Sequence, residues 1–178
     1  MKTPLRVLGF FLAGATALGF AGSWYLGAFE SVDVELEAAG PFFFAFRHAP
    51  LVSFEDIEAV TSELDGLCVA AGLEARRPAQ RFHPDGSVDV GFFFDVESVE
   101  SLASLGARED VDVTTLARDT FMAASFPLKN PLSFLFAFRK LEPAFTEYRE
   151  QRGFERTPSI VINEGRAIRY LQRVQPAE

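Results

Sequence analysis

The sequence predicts an α+β domain built of two duplicated half-domains, which together form a curved antiparallel sheet with two helices, preceded by one transmembrane helix. Three observations carry this expectation. A shift of 79 residues lays the chain on itself without a gap. Short alternating segments, rich in phenylalanine, are separated by turn signals. An uncharged stretch fills the N-terminal end.

That stretch, Val7 to Phe29, has 23 residues without a charge. At about 1.5 Å per residue it reaches the ~30 Å of a hydrocarbon core. Phe10, Phe11, Gly14 and Gly22 supply apolar and small surface, and Trp24 and Tyr25 sit where an interfacial aromatic belt belongs. Lys2 and Arg6 flank one end and Glu30 and Asp33 the other. The charge bias therefore expects a single-pass anchor with a cytoplasmic N-terminus and the domain outside, periplasmic in a bacterium. The rival is a cleavable signal peptide with its small-residue site at "ATA", 15–17. The retained anchor is favoured, because cleavage there leaves an apolar start.

Residues 30–178 are then expected to form the domain, with half one at about 32–96 and half two at about 111–174. In the alignment Val32, Asp33, Val34, Phe42 and Ala45 fall on Val111, Asp112, Val113, Phe121 and Ala124, and Gly86 falls on Gly165. In half one, strands are expected at 32–38 and 41–48. A helix follows from Ser53 to Ala71, with Ser53 as cap, Asp56 closing a capping box and Gly72 as the stop. Ile57, Val60, Leu64, Leu67 and Cys68 recur at helical spacing, which makes Cys68 a core residue rather than a reactive thiol. Strands at 78–83 and 87–96 flank the "PDG" turn. Within the second of these, Val88 and Phe92 are expected to face the core and Phe93 a cleft or partner. Residues 97–110 read as an exposed linker or a short helical turn. Half two repeats the plan, with strands at 111–117 and 120–127 and a helix at 131–152 started by Asn130-Pro131. Pro143 is expected to kink or divide that helix. The last strands are 157–163 and 166–174.

Beyond the leader, 15 basic residues face 25 acidic ones. That balance speaks against a nucleic-acid partner. The single cysteine allows no internal disulfide.

The stretches "GFAGSWYLGAFESVDVE", "FAFRH" (44–48), "MAASFPLKNPLSFLFAFRKLEPAFTEYREQRG" (122–153) and "TPSIVIN" (157–163) resemble the GyrI-like domain, the SOUL/GyrI-type effector-binding domain. Among its members they are most similar to the membrane-anchored animal proteins of the testis-expressed reticulophagy-receptor type. The likeness covers about 30–174. It implies two pseudosymmetric halves and a pocket where many members place a Glu and an aromatic near the penultimate strand. Here those positions hold Val161 and Asn163, so the family's cation-binding and hydrolytic chemistry is not expected.

No nucleophile elbow, phosphate loop or zinc-protease motif occurs. His48 is a candidate haem ligand, weighed against a strand-end histidine bonded to its surroundings. His83 reads as a solvated turn residue, and two histidines without clustered carboxylates do not predict a metal site. With 20 Phe in the chain, the rings either line a cleft, meet a partner, or fill both faces of the sheet. The candidate ligand or partner contacts are Phe43, Phe93, Phe134, His48, Val161 and Asn163. The leading expectation is a non-enzymatic scaffold, an accessory subunit of a membrane assembly, without a cofactor or metal. The alternative is a membrane-tethered sensor of an apolar small molecule or haem.

Overall fold

The computed structural model describes residues 30–49, 53–74, 76–94, 99–130 and 133–176, together with 14–16, 18, 19, 22 and 24. The elements are β1 (Glu35–Ala39), β2 (Phe42–Ala49), α1 (Phe54–Ala70), β3 (Arg76–Phe82), β4 (Val88–Phe94), α2 (Val99–Gly106), β5 (Asp112–Leu116), β6 (Asp119–Pro127), α3 (Ser133–Arg152), β7 (Ser159–Asn163) and β8 (Ala167–Arg173).

The expected transmembrane helix is corrected. Among the described residues no helix is long and apolar enough to cross a membrane. Gly14, Gly22 and Trp24 are helical, whereas Phe10, Phe11, Tyr25 and most of 7–29 lie outside the described residues. An uncharged run is necessary for a span but not sufficient, since the crossing needs about 20 consecutive residues held in one helix. The Trp24 ring, expected in an aromatic belt, lies 5.9 Å from the Lys129 ammonium, which also pairs with Glu30 of the domain. The single-pass topology, the cytoplasmic N-terminus and the periplasmic domain fall with the span.

All eight strands join one curved antiparallel sheet in the order β1-β6-β8-β7-β3-β4-β2-β5. That order is unchanged when β1–β4 are exchanged with β5–β8. The first strand of each group pairs with the second strand of the other, β1 with β6 and β5 with β2. The 79-residue shift converts one ladder into the other, since Glu37 pairs with Phe121 and Phe42 with Leu116. Gly86 and Gly165 occupy equivalent turns with φ of 91° and 80°, a region glycine enters without steric cost.

Both faces of the sheet are covered. On one, Phe42, Phe44, Phe46 and Phe93 pack with Phe121, Ile160, Ile162 and Leu171, and among the described residues no helical one joins them. Phe93 lies 4.7 Å from Phe44 and 5.2 Å from Phe42, ring centre to ring centre. On the other face, Leu64 and Cys68 of α1 and Leu102 and Leu105 of α2 cover Ala45, Phe92 and Phe94. There too Ala137, Leu141 and Phe145 of α3 cover Met122, Phe126, Val161 and Tyr170. The segment 97–110 thus contributes a core-forming helix, not only a linker.

Phe93, expected to face a cleft or partner, lies instead in the strand-lined core. Alternation fixes which residues share a face within one strand, while register fixes the relation between strands. The register pairs Phe44 with Phe93 and Phe43 with Phe94, so Phe93 sides with Phe42 and Phe44, and Phe43 with Phe92 and Phe94. Pro143 lies inside α3 without dividing it.

Candidate functional site

α1 is amphipathic in an uneven way. One stripe, with Leu64 and Cys68, enters the core. A second stripe, Ile57, Glu58, Thr61, Ser62 and Asp65, advances by three and four residues along the neighbouring face. That stripe is one wall of a cleft of about 630 Å³. Its floor is the seam where the two groups of strands meet, with Pro78, Ala79 and Gln80 of β3 beside Val161 and Asn163 of β7. Gln80 and Val161 stand directly opposite in the ladder. Leu128 and Phe134 supply the opposite wall, and Phe92 closes the α1 side.

Each wall is held in place locally. Ser53 Oγ accepts the Asp56 N–H while the Asp56 carboxylate accepts the Ser53 N–H, the capping box expected of α1. Asn130 Oδ1 accepts the Ser133 N–H at 3.1 Å where α3 begins, one residue before Phe134. Phe134 is braced edge-on by Phe138, 4.9 Å away.

The cleft combines apolar surface with negative charge. No Lys or Arg is among its described lining residues. Asp65 receives Arg76 Nε at 2.6 Å, and that hydrogen bond holds its carboxyl below the usual range. Glu58 is exposed on the same wall.

Of the sequence-predicted contacts, Phe134, Val161 and Asn163 meet in this cleft. Phe93 does not, being sealed in the all-strand core, and Phe43 is half-buried beneath α1 and α2. His48 stands elsewhere, at the end of β2, with Nδ1 2.7 Å from Asp89 Oδ1. His83 is not a free turn residue, since its Nε2 lies 2.7 Å from Asp89 Oδ2. Sequence reasoning missed Glu58 and Asp65. Their signal was the polar stripe at 58, 61, 62 and 65 of an otherwise core-forming helix. The acidic position that the family pattern assigns to 161 is indeed a valine, yet carboxylates reach the same cleft from α1.

No family model matches the chain, and no curated protein matches it. Solved structures do. EcmrR in its DNA complex superimposes with a TM-score of 0.61 at 9% identity, over 98% of this chain and 70% of that one. The crystal structure of the EcmrR C-terminal domain superimposes with a TM-score of 0.57 at 8% identity, over 82% of this chain and 99% of that one. The chain has the fold of a GyrI-like effector-binding domain.

At these identities the likeness speaks of fold. It gives the GyrI-like reading its footing and none to the membrane-anchored reticulophagy-receptor type. The expected membrane-lipid and membrane-complex partners have no support, and neither does the expected absence of a nucleic-acid partner, EcmrR itself being seen with DNA.

Proposed function

We propose that this GyrI-like domain is a small-molecule-binding module, and that its ligand is an apolar molecule bearing positive charge, seated in the cleft between α1 and α3. One observation carries the reading. A concave site of about 630 Å³ has apolar walls from Ile57, Phe92, Leu128, Phe134 and Val161, the exposed Glu58 carboxylate, Asp65 with its charge met by Arg76 from outside the lining, and no basic lining residue among those described. Sites of this size, mostly apolar with a few polar groups, are the usual form of a small-ligand pocket. A carboxylate beside an aromatic ring attracts a cation both by its charge and by the ring face.

The scaffold role within a membrane assembly has no observation in its favour. The sensor reading keeps its ligand site but not its membrane tether.

Fluorescence polarisation with rhodamine 6G, an apolar cation, and Nile red, an uncharged apolar dye, tests the proposal. The cation should bind more tightly. Glu58→Gln should weaken the cation by about 2–5-fold, as befits an exposed charge, and leave the neutral dye unchanged. Phe134→Ala should weaken both by about tenfold, the loss expected when one ring of contact surface is removed. Failure of wild type to bind either dye, or equal affinity of wild type and both variants, would remove the cleft from consideration.

A further inference from the structure

The chain contains two histidines, and both converge on one buried carboxylate. The fold brings them there from distant places. His48 is the second-last residue of β2, and the β2–β4 register sets it directly opposite Asp89. His83 follows the end of β3 and opens the tight turn into β4, its N–H bonded to the Ser87 carbonyl at 2.9 Å. His48 Nδ1 and His83 Nε2 each lie 2.7 Å from a different oxygen of Asp89, and the three ligand atoms fall within 4.8 Å of one another. The two rings stand nearly edge to face, 6.1 Å apart at 64°.

The burial is graded. The Asp89 side chain is 2% exposed, that of His83 25% and that of His48 57%. Solvent therefore reaches the carboxylate past two imidazoles. Beneath them, Arg81 donates to Asp89 Oδ2 at 2.6 Å while its guanidinium rests over the Phe46 and Phe44 rings at 4.9 and 5.6 Å. The carboxylate is fixed from below and open to the two rings from above.

We propose that His48, His83 and Asp89 form a site for a divalent first-row transition ion such as Zn²⁺, with a fourth position open to water. Two imidazoles and one carboxylate, without thiolates, are a ligand set suited to Zn²⁺ and its neighbours. Three protein ligands plus water is the open form of such a site. An ion held at ~2.0–2.2 Å from each ligand needs those atoms about 3.2–3.5 Å apart, so the two nitrogens must withdraw from Asp89 by roughly half an ångström, and the widest separation, now within 4.8 Å, must close to that same spacing. Both rings have exposed surface through which to turn. Binding needs the lone pair on the nitrogen facing Asp89, so in each neutral ring the single proton moves, by exchange with solvent, to the other nitrogen, with no net proton released. Arg81 keeps the outer-shell role of orienting the carboxylate. Its charge opposes the ion, which places the affinity below that of structural zinc sites.

The competing arrangement is a hydrogen-bonded cluster with no affinity for metal. Isothermal titration of the untagged full-length chain with Zn²⁺ separates the two, with Co²⁺ absorption reporting tetrahedral coordination. One ion per chain is expected, with affinity reduced at least ~10-fold by His48→Ala and by His83→Ala, the range seen when a site loses a supporting group. Zn²⁺ at a hundredfold excess over its dissociation constant should raise the wild-type Tm by roughly 5–10 °C and leave the double variant unmoved. Both histidines also hydrogen-bond the buried Asp89 carboxylate, so His48→Gln and His83→Gln, which keep a donor toward it, are titrated beside the alanine variants, and loss of Zn²⁺ uptake in glutamine variants with the wild-type unfolding midpoint supports the site. No uptake by wild type, or uptake unchanged in the double variant, overturns the proposal. Neither result bears on the cleft between α1 and α3, whose lining includes none of these residues.

Discussion

Gly91 and Ala45 approach so closely across the β2–β4 pairing that a Cβ on Gly91 would lie 2.0 Å from the Ala45 carbonyl oxygen. The same atom would meet Phe46 Cα at 2.7 Å. Both obstacles are backbone, so no side chain can swing aside.

Gly91→Ala should therefore destabilise the fold by about 3 kcal/mol or more, the range of a severe core disruption, with a lowered urea midpoint as the readout. Gly66, inside α1, has nothing within 4 Å of its would-be Cβ. Gly66→Ala should move the midpoint the other way, by about 0.5–1 kcal/mol of added stability.

Phe93 and Phe134 separate stability from binding. Phe93 is fully buried in the core that no helix enters, and Phe134 lines the cleft. Phe93→Leu should cost about 1–3 kcal/mol of unfolding free energy and leave dye affinity unaltered in the folded fraction. Phe134→Ala should show the reverse balance, with equilibrium unfolding and dye titration compared on the same preparations.

Asp89 links stability to pH. Burial alone would raise its pKa, but hydrogen bonds from His48, His83 and Arg81 outweigh burial and hold the carboxyl below its ordinary value. A carboxyl depressed in the folded state stabilises the fold above the unfolded pKa of ~3.9, and that contribution fades as pH falls through the folded value. Asp89→Asn should cost about 2–4 kcal/mol near neutral pH, because it strips the charge from a buried, three-partner site. The gap between wild type and variant in denaturant titrations should narrow below about pH 4. A constant gap across that range would contradict the assignment.

Cys68 is fully buried within α1's core stripe, and burial pushes its thiol up to about 11. A thiol reagent at pH 8 should therefore modify it only as fast as the domain opens, and at once in denaturant. Reaction in the native state as quick as that of free cysteine would show that the α1 packing is wrong.

Local features were legible in the sequence, and those set by pairing were not. The Ser53–Asp56 box announced α1 to within a residue of its start, and Gly86 and Gly165 marked matching turns. Leu102 and Leu105 were hidden in a serine- and glutamate-rich stretch, where composition outweighed a short apolar periodicity. The cleft was half visible: Phe134, Val161 and Asn163 stood out, while Glu58 and Asp65 looked like the solvated face of a helix. His48, His83 and Asp89 could not be joined from the sequence at all. Their meeting depends on the β2–β4 register, and a one-residue slip would have sent Asp89 to the opposite face.

The crossed pairing of β1 with β6 and of β5 with β2 has a consequence for how the chain can be divided. Neither set of four strands is self-sufficient, since each leaves one edge of its own second strand unpaired and covers that edge of its neighbour's. A backbone cut at 107–110 would give fragments that must find one another before either can mature, turning a unimolecular process into a concentration-dependent one. The same interlock ties the two flanks of the molecule into one cooperative unit, and it offers any two chains that open together a route to trade strands on reclosing.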